Sequence, residues 1–342
     1  LAEAAGLFLL FRFFGTQVYY VGLGIAIGSA IVILSNIWIC RKYTPDLQVR
    51  RQSYKKSAVK RLVVNGIWQS LNDLGSLLHS GLDLVICNLM ISPLAMGQLS
   101  IAKSIELIFH RLYQIVGQAF QPVFLRHYAD DDREGLLREL KLSMKISGCL
   151  ANLAFAGFAA LGLVYYQLWI PNQDIQLIYH ITVITILTNV ASGSMNPLYY
   201  IYTLTVKKKI PSFVTIITGF MNVGGMFILI KYTNLGIDAV VWTTAVLVGF
   251  INFGSNPLYM AHVLQLPWHT FYPNILRNVL SCGALTLVFK LFSRVYMPHS
   301  WMTLILCAGA YSVVGAVLHF LIVFTREEWS MARDMVRRKI AH

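Results

Sequence analysis

Two runs of polar side chains carry the residue types that could do chemistry in this chain. In NGIWQSLNDLGSLLHSGLDLVICNLMI, residues 65–91, Gln69, Asn72, Asp73, Ser76, His79, Ser80 and Asp83 recur at steps of three and four. On a helix that spacing sets all seven on one stripe. The opposite face, Ile67, Leu71, Leu74, Leu78, Leu82 and Val85, is purely apolar. After a short ISPLAMG turn the pattern resumes with Lys103, Glu106, His110, Gln114, Gln118 and Gln121, and Arg111 alongside. Glu106 can pair with Lys103 at i−3 and with His110 at i+4. Such groups can hydrogen-bond a polar ligand, hold an ion or relay a proton. They can also pair among themselves as structural glue. A carboxylate inside a membrane costs roughly 2.5–3.5 kcal/mol on insertion scales, so two on one seam call for a wet cavity or partners. Asn189, Ser192 and Asn196 form a weaker stripe, for which helix–helix hydrogen bonding is the expected role.

Other chemistry recedes on inspection. Asp130-Asp131-Asp132 could be a metal-binding acidic motif, but it precedes REGLLREL, where aspartates cap a helix and favour its positive end. The remaining histidines are isolated, and there is no Gly-rich phosphate loop and no Gly-x-Ser-x-Gly. The cysteines, Cys40, Cys87, Cys149, Cys282 and Cys307, are scattered in or beside apolar runs without metal-ligand spacing. No metal, cofactor or catalytic residue is therefore expected.

The elements that position the seams belong to a membrane protein. Of 342 residues, 56% are hydrophobic and 13% charged, with a mean hydropathy of +0.61. That balance indicates an all-α polytopic membrane protein. The opening LAEAAGLFLLFRFF is short for a span and lacks the basic leader of a signal peptide. It reads as the remainder of a longer helix, so the chain is expected to be an N-terminally truncated piece. Arg12 on it is either a snorkelling interfacial arginine or a cavity cation. Including that partial span, about ten transmembrane helices are expected, one of them running unbroken through 65–91. Tyr165, Tyr166 and Trp169 fall where an outer aromatic belt should lie. The tail TREEWSMARDMVRRKIAH reads as an amphipathic surface helix.

Charge placement gives orientation. Loops on one side, with the tail, hold twenty-two lysines and arginines; those on the other hold only Lys231, Lys290 and Arg294. This asymmetry puts the basic loops and the C-terminus in the cytoplasm, and the expected location is the cytoplasmic (inner) membrane. It also accounts for the net charge of +13 through anionic headgroups, without nucleic acid.

A repeat lies in the second half. Gly193-Ser-Met-Asn-Pro-Leu-Tyr199 recurs as Gly254-Ser-Asn-Pro-Leu-Tyr259, and Gln121-Pro122 holds a comparable place in an earlier helix. Pro122, Pro197 and Pro257 each remove a helix hydrogen bond and should bend their helices. Matched, interrupted helices are a transporter signature.

The order of these features resembles the polysaccharide flippases of the MATE-like (MOP) exporter superfamily, which includes O-antigen and capsule repeat-unit flippases. The stretches that carry the likeness are RKYTPDLQV, NGIWQSLNDLGSLLHSGLDLVI, ISPLAMGQLSIAKSIE and AFQPVFLRHYADDD. The resemblance implies a MATE-like two-lobe architecture. Residues 1–40 would be the last two helices of an incomplete first lobe, and 41–61 a basic inter-lobe loop. Residues 62–263 would be the six-helix second lobe, 264–324 two additional helices, and 325–342 a cytoplasmic tail.

A transport function is implied as well. A protein resembling this family would flip a polyprenyl-pyrophosphate-linked oligosaccharide to the outer leaflet by alternating access, with no catalytic step. Its partners would be the lipid-linked oligosaccharide, membrane lipids and polysaccharide-assembly proteins. An anionic pyrophosphate would seek the cations within the spans, Arg12, Lys103 and Arg111. Sugars would seek Gln69, Asn72, Ser76, Gln114 and Gln118. Asp73, Asp83, Glu106 and His110 could titrate in an ion-driven cycle. The rivals are a multidrug exporter of the same superfamily and a membrane-embedded glycosyltransferase or polymerase.

Overall fold

A computed structural model describes residues 6–8, 10–12, 17, 19–44, 55–325 and 328. These residues form helices and connecting turns, with no strand among them. Among the described residues, seven helical stretches are long and apolar enough to cross a membrane. The opening stretch and the C-terminal tail lie largely outside the described residues, as does most of the basic loop.

The chain divides into two compact units, 1–65 and 66–342. The first holds α1 (Tyr19–Tyr43), a continuous apolar helix. In that unit Arg12 is exposed on a helical stretch. Helix α2 (Lys56–Ser80) begins in the first unit, and its residues from 66 onward belong to the second.

The second unit continues with α3 (Asp83–Met90), α4 (Pro93–Ala129), α5 (Arg133–Trp169) and α6 (Ile175–Met195). Then come α7 (Tyr200–Leu204), α8 (Lys209–Tyr232), α9 (Ile237–Gly249) and α10 (Asn256–Val263). Helices α11 (Tyr272–Val295) and α12 (Trp301–Val323) complete it. Helices α2 and α4 are absent from the apolar set, because their polar seams lower their hydropathy.

The residues 65–91 do not make one helix. Helix α2 stops at Ser80, and both Gly81 N and Leu82 N donate to the carbonyl of Leu77, at 2.8 and 3.1 Å. Two donors crowding one carbonyl leave little room: a Cβ on Gly81 would stand 2.9 Å from that oxygen. Glycine therefore permits a one-residue widening of the helix, which turns Asp83 away from the line through Ser76 and His79.

Helix α5 is the spine of the second unit. Its small residues, among them Gly148, Ala151, Ala156 and Ala159, are buried, as expected where helices in lipid associate by close backbone approach. Ser147 Oγ donates to Gly193 O across to α6 at 2.7 Å, and Asn152 Nδ2 donates to Asn278 O of α11 at 2.8 Å. The loop before α5 behaves as a cap: Asp132 Oδ1 accepts from Gly135 N at 2.9 Å. That bond and one from His127 hold the Asp132 carboxyl below its ordinary value.

Tyr166 departs from the aromatic-belt expectation. It is fully buried, and its hydroxyl meets Thr182 Oγ1 at 2.8 Å. Trp169 remains 44% exposed.

Two of the three proline sites interrupt their helices. Asn196–Tyr199 is a 3-10 turn between α6 and α7, and Phe250–Ser255 is a π-helical segment between α9 and α10. Helix α4 stays helical through Pro122.

Candidate functional site: a polar cavity in the second unit

Helices α2 and α4 face one another across a cavity of about 850 Å³. From α2 it receives Gln69, Asn72, Ser76, His79 and Ser80; from α4 it receives Lys103, Glu106, His110 and Gln114. Helix α6, the two interrupted segments after α6 and α9, and the start of α10 add Asn189, Ser192, Asn196, Tyr199, Asn252 and Asn256. The size falls in the range of small-molecule sites. No described residue beyond Asn256 lines it, so α11 and α12 take no part.

The sequence-expected residues separate into two groups. Gln69, Asn72, Ser76, Lys103, Glu106, His110 and Gln114 share the cavity. Asp73, Arg111 and Gln118 do not line it and are exposed. The helical rotation of about 100° per residue explains the last two: Arg111 sits roughly 80° and Gln118 roughly 60° round from Lys103. Asp73 accepts instead from Gln69 Nε2 at 2.9 Å. Arg12 belongs to the other unit.

Lys103 is not a free cation. Its ammonium is ion-paired with Asp83 and lies 3.7 Å from Glu106. Asp83 is 1% exposed and does not itself line the cavity. A buried carboxylate needs a partner, and Lys103 supplies it. At formal charges this group carries two acids to one base.

One turn along α4, Gln114 Nε2 lies 2.7 Å from His110 Nε2, and His110 Nδ1 lies 2.5 Å from the Tyr113 hydroxyl. Tyr113 in turn donates to Asn189 Oδ1 at 2.9 Å. The Tyr113 proton is thus committed to Asn189, so the hydroxyl accepts from Nδ1–H and Nε2 accepts from Gln114. His110 is the neutral Nδ1–H tautomer in this arrangement.

The amide wall is larger than the weak Asn189–Ser192–Asn196 stripe suggests. Asn252 Nδ2 donates to Ser192 Oγ at 3.1 Å, and Tyr202 OH donates to Asn256 Oδ1 at 3.1 Å. These bonds tie the segment around the first Asn-Pro to the segment around the second, and Ser192, Asn252, Asn256 and Tyr202 all line the cavity. The repeat shows only that its copies share an asparagine, Asn196 and Asn256; Asn252 lies outside it.

The chain is 25% identical over 338 residues to the uncharacterized membrane protein EpsK of Bacillus subtilis (strain 168), a match covering 99% of this chain and 67% of that protein. The chain is a multi-pass membrane protein homologous to EpsK. No family model matches it, and no solved structure does. The likeness extends through both units, so the cavity lies within the stretch the two proteins share.

Proposed function

We propose that this protein is a transporter that moves a polyprenyl-pyrophosphate-linked oligosaccharide from the cytoplasmic to the outer leaflet by alternating access. The observation that carries the reading is a cavity lined by many amides and hydroxyls inside a membrane protein. Asn72, Ser76 and Gln114 line it together with Asn196, Asn252 and Asn256. A glycan presents hydroxyls that both donate and accept, and primary amides answer both. The lipid tail has no need of such a wall and stays in the bilayer. The 3-10 and π segments place irregular backbone where a cavity makes it tolerable and where a helix can pivot. No step in this reading requires a catalytic residue. In this reading the protein sits in the cytoplasmic membrane with its C-terminus in the cytoplasm, works with polysaccharide-assembly proteins, and has a six-helix second lobe followed by two additional helices.

The experiment is a complementation. A strain lacking the full-length gene should lose cell-surface polysaccharide and accumulate the lipid-linked unit on the cytoplasmic side. Asn252→Leu should restore membrane insertion but not export. Full export by that variant would count against the cavity as the glycan's path.

One observation favours a second reading. The Asp83–Lys103–Glu106 group carries an excess acid, which would suit an exporter of organic cations. Drug susceptibility of the same deletion strain separates the two: unchanged susceptibility with lost polysaccharide supports the flippase.

A further inference from the structure

Resting on the flippase reading, we infer that the anionic linkage group of the substrate is held by Lys208 at the end of the cavity nearest the basic loops, and not by the lysine in its interior. The charges divide the cavity into two ends. Helix α4 carries Lys103 and Gln114 on the cavity wall, eleven residues and therefore about 17 Å apart along the axis. At the Lys103 end, Asp83 and Glu106 outnumber the lysine. A pyrophosphate brought there meets net repulsion and must displace a carboxylate from a buried ion pair, which is strongly unfavourable.

The other end differs. Lys208 lines the cavity and donates to Gln69 Oε1 at 3.2 Å. Among the described residues no carboxylate forms an ion pair with it; Asp73 is linked to it only through the Gln69 amide. The neighbouring lysines are directed elsewhere. The Lys209 ammonium lies over the Trp68 ring, 5.5 Å from its centre, and Lys207 is exposed and does not line the cavity. One cation of the Lys207–Lys209 run therefore points into the polar space with its charge uncompensated.

The position also suits the chemistry of a lipid-linked sugar. Pyrophosphate sits between an apolar tail and a polar head. Held at Lys208, it would leave the head facing the amide wall, with the tail at the cavity's edge. Ammonium-to-phosphate contact is charge-assisted and strong, while Gln69 can turn its amide NH₂ to a phosphate oxygen once Lys208 leaves its carbonyl.

The test uses the full-length protein in lipid nanodiscs with a short-chain polyprenyl pyrophosphate as probe and the corresponding uncharged alcohol as control. Lysine acetylation read by mass spectrometry should show Lys208 protected several-fold by the pyrophosphate and not by the alcohol, with Lys207 and Lys209 unchanged. Lys208→Gln should weaken probe binding about tenfold, the usual scale for losing one hydrogen bond to a charged group. Lys208→Arg should retain most of it, and Lys207→Gln should match the wild type. Equal protection across Lys207–Lys209, or undiminished binding by Lys208→Gln, would overturn the assignment. Glycan-lipid movement at the wild-type rate in Lys208→Gln would overturn it too while leaving the flippase standing. Probe binding at Lys208 in a protein that moves no glycan lipid would keep the anion site and remove the flippase.

Discussion

Tyr199 donates its hydroxyl hydrogen to Asn252, joining the 3-10 break after α6 to the π-helical break after α9. The same oxygen accepts from Asn256 Nδ2 at 3.3 Å, so one phenol holds two asparagines at the second break. Both amides are buried, and losing the hydroxyl leaves them short of a partner. Tyr199→Phe should therefore lower stability by about 1–3 kcal/mol. Thermal unfolding in detergent measures this. Coupling between the breaks further implies a loss of export exceeding the loss of folded protein; proportional losses would make the bond purely structural.

Asp83 and Lys103 should behave as a unit. Lys103→Met leaves a buried carboxylate unpaired, and Asp83→Leu leaves a lysine beside Glu106 alone. Breaking a buried pair costs about 3–5 kcal/mol when one partner is removed, whereas replacing both is far less harmful. The double variant should thus be more stable than Lys103→Met. Additive losses in a denaturation cycle would show that the two do not depend on each other.

Lys145 and Glu328 give a pH-dependent contact outside the cavity. Lys145 is 3% exposed, and its Nζ lies 2.6 Å from both Glu328 oxygens. Partial burial pushes the Glu328 carboxyl up, but hydrogen bonds from Lys145 and from Thr325 N, with the lysine charge, outweigh it and hold it below its ordinary value. A depressed acid contributes stability that is present above its unfolded value and lost as pH falls through the folded one. Glu328→Gln should lower the unfolding temperature at about neutral pH, and the gap from wild type should close on acidification. A gap that persisted below the folded value would exclude the pair as its source.

Gly193 is a packing requirement. A Cβ there would collide with Ala151 Cβ, across the contact where Ser147 Oγ bonds the Gly193 carbonyl at 2.7 Å. Gly193→Ala should cost about 1–3 kcal/mol through overpacking. Ala151→Gly in the same chain should recover much of it, as thermal unfolding would show. No recovery would place the clash elsewhere.

Much of this is legible in residue spacing. Steps of three and four group Gln69, Asn72 and Ser76 on one helix and Lys103, Glu106, His110 and Gln114 on another, and both groups reach the same cavity. Spacing does not show where a helix widens. Gly81 changes the phase by one residue, so Asp83 leaves the seam and becomes the buried partner of Lys103. Nor does it show how far a stripe reaches round a helix, which is why Arg111 and Gln118 fall outside. The amide wall depends on two distant segments meeting, and a repeat of Asn-Pro-Leu-Tyr carries no information about its partner. Lys103 makes the point most clearly: its charge is visible in the chain, and its neutralisation requires the fold.

The most direct measurement is leaflet exchange in liposomes carrying the full-length protein and a polyprenyl-pyrophosphate oligosaccharide, read by accessibility of the glycan to an added glycosidase. Protein-dependent exposure of unmodified glycan is expected, slowed in Lys208→Gln and in Asn252→Leu. Accessibility that matches protein-free liposomes, with folded protein and a lipid from the same host, would contradict the flippase.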